Sequence, residues 1–402
     1  MRAETIRSLD YWLGIPGCAV LTAARRLRAE RIAKPQRILF LKFIEQGATV
    51  LAQDAIARAT RAVGRDNVYF CVFESNRAIL DLLDTVPAGN VICIRDRSLG
   101  SFITDFLEAL LSVRRRGIDT VIDMEFFSRA SAIFAFLTGA ATRVGLHRFT
   151  GELPYRGDLM THRMQYLPHL HIAQLYSILV EAAMHDPRDQ PLLKIPLRDL
   201  GAGATAAPPR FIPDGRDAQA MRDRIGAAEA SPIVILNPNA SDLLPLRKWP
   251  TARFTDLARR LLDAYPRARI VLTGGPSETT AADTLMRDLG SERIVSVAGH
   301  TSLRELLTLY SIADVLVTND SGPGHFSSLT PVHAIVLFGP ETPRLFGPLA
   351  ASSTVIWKEL ACSPCVSVFN HRLSPCRNNV CMQTITVDDV FAAVAAAVAA
   401  RA

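Results

Sequence analysis

Long apolar runs are missing from this sequence of 402 residues: no segment approaches the ~20 uninterrupted apolar residues that a membrane-spanning helix needs, so a soluble or peripheral protein is expected. Nucleic-acid modules are missing as well. There is no zinc-finger spacing, no aromatic RNA-binding signature and no long basic run. Cysteine is scarce, at seven residues, and Cys18, Cys71 and Cys93 are scattered in the manner of core or helix residues. With 49% hydrophobic and 21% charged residues the composition excludes a disordered chain, and the length exceeds one core and fits two domains of ordinary size. The net charge of +6 fits an anionic partner such as a phosphorylated substrate or a membrane surface, but a bias toward arginine yields the same total.

The N-terminal apolar stretch, Leu9-Asp-Tyr-Trp-Leu-Gly-Ile-Pro-Gly-Cys-Ala-Val-Leu, is followed by Arg25, Arg26, Arg28 and Arg31. A secretory leader places its positive residues before the apolar part. The reverse order predicts an amphipathic docking helix over 1–34, retained in the mature chain. Trp12, Leu13 and Ile15 with the arginines fit either a membrane surface or packing on the protein's own body, and both readings stay open.

From residue 35 the pattern is strand, loop, helix, repeated. Arg37-Ile-Leu-Phe-Leu-Lys-Phe-Ile is a near-continuous apolar strand, the mark of burial on both faces of a parallel sheet. Glu45-Gln-Gly-Ala-Thr ends it, and an alanine-rich helix follows over 50–63. Further strands are predicted at 67–73, 90–94, 119–124 and near 143–146, with helices near 76–83, 101–115 and 170–183. Strands alternating with helices of this length imply a doubly wound sheet. The segment 147–164 is turn-rich, and 187–214, rich in Pro, Gly and Ala, reads as the linker. Within it Gly201-Ala-Gly-Ala-Thr-Ala imitates a dinucleotide fingerprint, but no strand precedes it. The expected domains are 35–200 and 201–385, with an alanine-rich helix over 386–402 packing across their junction.

The second half repeats the architecture. Ile233-Val-Ile-Leu runs into Asn237-Pro-Asn-Ala-Ser-Asp, then Lys248-Trp-Pro and a helix from Thr251. Ile270-Val-Leu-Thr ends in Gly274-Gly-Pro-Ser-Glu, where Ser277 can cap a helix, and Ala298-Gly-His-Thr-Ser-Leu again reads as a cap and a helix. The densest stretch is 313–343. Val315, Leu316 and Val317 stop at Asn319-Asp320, a Ser-Gly-Pro-Gly turn follows, and His325-Phe-Ser-Ser-Leu reads as a helix start. A second strand, 334–338, ends in Gly-Pro-Glu-Thr-Pro. Two neighbouring loops thus open at one carboxyl edge of a parallel sheet, where open α/β folds bind ligands.

Asn237-Pro-Asn-Ala-Ser, Lys248-Trp-Pro, Phe254, Thr273-Gly-Gly-Pro, Gly299-His-Thr-Ser-Leu, Asp320-Ser-Gly-Pro-Gly-His and Gly339-Pro-Glu-Thr-Pro, in this order, resemble glycosyltransferase family 9, the lipopolysaccharide heptosyltransferases. The N-terminal half agrees more loosely through Ile38-Leu-Phe-Leu-Lys, Gly47, Leu51-Ala, Asp119-Thr-Val-Ile-Asp and Thr142-Arg-Val-Gly-Leu. The resemblance implies an α/β GT-B fold, two Rossmann-like doubly wound parallel-sheet domains facing a cleft, the first binding acceptor and the second nucleotide-sugar. It also implies an inverting, metal-independent transfer from a donor such as ADP-heptose to a lipid-linked saccharide, at the cytoplasmic face of a bacterial inner membrane. Cofactors are not required on this reading. Donor contacts are implied for Asn237, Ser241, Thr273, Gly274, Ser321, Gly322 and His325, with Lys248 on the diphosphate and Asp320 beside the sugar. An Asp-x-Asp motif, which many metal-dependent glycosyltransferases use, is absent from the sequence.

Alone, an Asp before a helix is usually a cap and a Lys before Trp-Pro a solvated loop residue; joined in the family's order they read as a site. One position departs from the family. An aspartate usually follows the glycine of the first loop and is thought to be the base, but here Ala48 follows Gly47. Glu45 is the preferred replacement, with Asp123 and Glu125 as second choices. The bland reading makes Glu45 a surface residue of a protein whose activity is lost or altered. Cys362, Cys365, Cys376 and Cys381 lie within twenty residues, and tetrahedral zinc, disulfides and packed free thiols are all open; the resemblance brings no metal with it.

Overall fold

The computed structural model describes residues 8, 10–27, 33–147, 155–201, 208–240, 244–350, 352–370 and 373–401. It divides into two compact units, 1–206 and 207–402. The first is a six-stranded parallel sheet of β1 (Ile38–Leu41), β2 (Val68–Phe73), β3 (Val91–Ile94), β4 (Thr120–Asp123), β5 (Thr142–Leu146) and β6 (His162–Met164), in the order β3-β2-β1-β4-β5-β6. Every residue of β1, β2, β4 and β5 is buried, and burial on both faces is why β1 and β2 read as apolar runs and not as alternating ones. The chain winds outward from β1 to β3, then crosses back to build β4 to β6 on β1's other side. That reversal opens a crevice beyond the carboxyl ends of β1 and β4, where the register sets Leu41 beside Asp123.

One side of this sheet is covered by the helices Gly14–Arg26, Leu99–Arg115 and Arg129–Leu137, whose Cys18, Ala109, Val113, Ala132 and Phe134 share one core with Leu39, Tyr69 and Val121. The N-terminal helix is tied down by Arg25, which meets Asp158 Oδ2 at 2.7 Å, and its Cys18 is fully buried. Arg28 and Arg31 lie outside the described residues. No helix among the described residues is long and apolar enough to cross a membrane.

The second unit is built from β7 (Ile233–Asn237), β8 (Arg269–Leu272), β9 (Ile294–Ser296), β10 (Val315–Asn319), β11 (His333–Phe338) and β12 (Ser353–Trp357), all parallel, in the order β12-β11-β10-β7-β8-β9. This repeats the winding of the first sheet, with the reversal between β7 and β10. Trp249, Phe254, Leu257 and Leu261 fill the core above it, together with Val390, Val394 and Ala397 of the last helix, Val387–Ala399. That helix, expected to lie across the domain junction, therefore buries this face in the second unit's own core.

Several elements differ from the sequence reading. The helix over 50–63 is two, Gln46–Leu51 and Gln53–Val63, meeting at Ala52, whose amide is shared between Ala48 O and Thr49 O. Short β6 arises within the turn-rich 147–164, and β12 was not foreseen. Ser277 caps nothing; Glu278 instead accepts the Gly275 amide at 2.7 Å. Ser302 does cap Leu303–Ile312, in a reciprocal pair with Glu305.

Burial holds the His147 imidazole down at about 4, the nearby Asp158 only partly opposing and Arg163, Arg156 and Arg25 reinforcing it. The folded protein keeps this ring neutral where the unfolded chain takes up a proton near pH 6.5, so stability is lost as pH falls from there toward 4. Replacing His147 with asparagine is expected to remove about 2–3 kcal/mol of that acid loss, read as the difference in urea midpoints between pH 7 and pH 4.5.

Candidate functional site

In the second unit four loops meet at the carboxyl edge of the sheet. Trp249 anchors the first: its indole N–H donates to Ile385 O at 2.9 Å, its amide donates to Asn319 Oδ1 at 3.0 Å, and its ring packs edge-on against Phe254. Asn379 Nδ2 donates to Leu246 O and Lys248 O, at 3.0 and 2.9 Å. The turn Pro245–Arg247 and the half-buried Lys248 are thus fixed from both sides at the mouth of β7.

The buried Asn237 at the end of β7 donates to Thr273 Oγ1 at 3.1 Å, and Asn239 Nδ2 to Thr273 O at 3.3 Å, joining the first loop to the loop after β8. Gly274 lets the loop pass close by, since a Cβ would stand 2.7 Å from Asn239 Nδ2 and displace that side chain. Asn319 donates to Pro238 O and Asn239 O, at 3.0 and 3.2 Å, which ties in the loop after β10. Ser241 lies outside the described residues.

Asp320 is not a cap. Its carboxylate, 5% exposed, faces Arg247, whose Nε lies 3.3 Å from Oδ2, while Arg247 Nη2 pairs with Glu341, 2% exposed. One guanidinium therefore bridges two buried acids from the β10 and β11 loops. Buried charges of this kind persist only when paired. The helix expected to start at His325 starts at Gly322 and ends at Phe326, because Pro323 suits a first helical turn and Ser327–Leu329 tightens into a 3-10 turn. Ser321 precedes it in extended conformation, its hydroxyl turned back to Asn319 O at 3.1 Å, and His325 is half-buried.

The first unit has its own polar cluster at the β1/β4 crevice. Lys42, fully buried, meets Glu125 Oε2 at 3.0 Å and Glu45 Oε2 at 3.3 Å, with the Phe126 ring 5.9 Å away. Burial alone would push the Lys42 ammonium down, but Glu125 and then Glu45 more than offset this and hold it above the ordinary lysine value. Glu125 also accepts the amides of Phe43 at 2.7 Å and Ile44 at 3.3 Å, so it braces the whole loop. Asp123 is excluded as a base. It is fully buried, paired with the equally buried Arg156, and accepts from Ser131 Oγ at 2.8 Å and the Glu125 amide at 3.0 Å. Glu45 differs from both in being partly open to solvent, and its backbone stands at φ 72°, a left-handed conformation that costs energy for a residue with a side chain. Ala48 is buried one turn further on.

All seven cysteines are free thiols. Cys381 is buried in the second core, Cys362 is exposed, and Cys365 accepts a hydrogen bond from Ser374 at 3.2 Å. Among the described residues no three His, Cys, Asp or Glu side chains are grouped to hold a metal ion.

The residues not foreseen are Arg247, Glu341 and Lys42. Lys42 had a signal: a lysine closing a strand buried on both faces demands a carboxylate partner. Glu341 stands inside Gly339-Pro-Glu-Thr-Pro and Arg247 directly before Lys248-Trp-Pro, and nothing local marks either as half of a buried ion pair.

Among solved structures, Escherichia coli ADP-heptose lps heptosyltransferase II matches 91% of this chain and 99% of its own, at TM-score 0.67 and 19% identity. Escherichia coli heptosyltransferase WaaC with ADP matches 90% and 99%, at 0.61 and 18%. These likenesses show the fold, the GT-B arrangement of two Rossmann-like units. In sequence, lipopolysaccharide heptosyltransferase 2 of Salmonella typhimurium is 29% identical over 129 residues, 31% of this chain and 36% of that protein. Lipooligosaccharide heptosyltransferase 2 of Campylobacter jejuni is 23% identical over 162 residues, 40% and 49%. The chain thus spans between a third and a half of the length of these curated relatives. The sequence pattern of glycosyltransferase family 9 (heptosyltransferase) matches residues 109–372, more than half of the chain, and the chain belongs to that family.

Proposed function

We propose that this protein transfers a heptose, with inversion and without a metal, from ADP-heptose to a lipopolysaccharide-core or related lipid-linked saccharide at the cytoplasmic face of the inner membrane. The match of residues 109–372 to the heptosyltransferase family carries this reading. The donor belongs to the second unit, on Asn237, Ser241, Thr273, Gly274, Asp320, Ser321, Gly322 and His325; the acceptor belongs to the first, over 35–200. Glu45 takes the proton of the acceptor hydroxyl, the freed oxygen bonds to the anomeric carbon, and the bond to ADP breaks. The departing diphosphate gains negative charge, which a fixed cation stabilises without reorganising. Arg247 is committed to Asp320 and Glu341, so that role falls to Lys248.

The test is ADP release on mixing the protein with ADP-heptose and a heptose-free core acceptor. Release that requires both substrates is expected, and its absence would overturn the reading. The buried Ala48 motivates a second one, a binding protein that keeps the donor site without turnover. On that reading ADP-heptose at about 100 times its dissociation constant still adds roughly 2.7 kcal/mol of stability while no ADP appears.

A further inference from the structure

The connection from β12 to the last helix contains one short helical turn, Val380–Gln383, that the proposed reaction leaves without a task. It is seated deeply for so small an element. Cys381 and Met382 are buried in the second core, and Met382 lies so close to Gly339 that a Cβ there would overlap its Sδ. The turn therefore presses on the start of the β11 loop, the loop that carries Glu341.

Asn379, the residue before this turn, holds a different loop. Its side-chain amide gives both N–H groups to carbonyls two residues apart, Leu246 O and Lys248 O, and so brackets Arg247. The amide is itself oriented, because its oxygen accepts from Gln383 Nε2 at 3.3 Å. The Asn379 carbonyl accepts the amides of Met382 and Gln383 at 2.8 and 3.1 Å, which fixes the residue on the turn. Its side chain does not cap that turn, so local helix chemistry does not explain an asparagine here. On the other side of the loop Lys248 N donates to Pro245 O at 3.0 Å and Trp249 N to Asn319 Oδ1 at 3.0 Å. Both peptide groups flanking the Lys248 Cα are thus pinned, and Asn379 supplies the bond to the Lys248 carbonyl.

We infer that Asn379 is a positioning residue for the transfer: it fixes the backbone from which Lys248 extends, and so sets where that ammonium stands as the diphosphate departs. The inference rests on the proposed role of Lys248. A cation already in place stabilises developing charge without reorganising. A displacement of about 1 Å is enough to cost on the order of 10²-fold in rate. Because both acceptors are backbone carbonyls, the amide acts on the path of the loop, and what it controls is the aim of the side chains that the loop carries.

The test is steady-state ADP release by the full chain, with ADP-heptose and a heptose-free core acceptor, for Asn379→Ala, Lys248→Met and the double variant. Asn379→Ala should lower kcat by about 10–100-fold with the KM for acceptor little changed. In the Lys248→Met background the same change should lower kcat by about twofold or less, since no ammonium is left to aim. General damage to the fold would instead lower kcat by the same factor in both backgrounds. Asn379→Asp keeps the size of the side chain but has no N–H to give, and serves if the alanine variant misfolds. An equal loss in both backgrounds would overturn the inference. A slow Lys248→Met beside Asn379 variants that turn over as the unaltered protein does would overturn the positioning role alone. Unaltered turnover by Lys248→Met would remove the reading of Lys248, and this inference with it.

Discussion

Replacing Arg247 with methionine is expected to destabilise the second unit by about 3–5 kcal/mol, the usual loss when one partner of a buried ion pair is removed. The reason is arithmetic of charge. Asp320 and Glu341 are both buried, and Arg247 touches each of them, so its removal leaves two acids in one low-dielectric place without their shared cation. Glu341→Gln alone should cost less, since Arg247 keeps Asp320. The double variant should fall short of the sum of the two losses by about 0.5–3 kcal/mol, the signature of residues in one network. The readout is the unfolding transition assigned to the second unit, because a chain of two units need not unfold in one step. A loss below about 1 kcal/mol for Arg247→Met would show the bridge to be a solvated contact.

How much of this could be read from the residues divides along physical lines. The parallel strands were legible because burial on both faces leaves an apolar run with no alternation, as in Val68–Phe73 and His333–Phe338. The loops were legible because Asn, Gly, Ser and Pro punctuate each strand's end. Strands β6 and β12 were not, since β6 is three residues with a charged member and β12 is half-buried with Val355 exposed at its centre. The polar loops of the second sheet follow their strands where the sequence pattern puts them, but the partner of the Asp320 carboxylate is not written locally. That carboxylate faces an arginine 73 residues earlier in the chain, a pairing that no local pattern encodes. The same holds for Asp123, whose short segment resembles that of Glu125, while one is locked to Arg156 and the other braces the first loop.

The substitution Glu45→Gln is expected to lower kcat by about 10²–10⁴-fold with the KM for donor little changed, since it removes the proton acceptor and keeps the side chain's size. The cluster around it supports the proposed role. Lys42, Glu45 and Glu125 together hold one positive and two negative charges, and the closer, buried Glu125 takes most of the lysine's attraction. Glu45 is the member partly open to solvent, 30% exposed against 8% for Glu125. Its left-handed backbone is a cost, and a cost retained at the end of a central strand beside the crevice fits a residue held for chemistry. Lys42→Met separates this from simple loop support: Glu125 and Glu45 lose their common partner, so stability should fall, whereas Glu45→Gln should leave the thermal midpoint nearly unchanged. Steady-state ADP release across both variants decides the matter. Turnover by Glu45→Gln equal to that of the unaltered protein would remove Glu45 as the base.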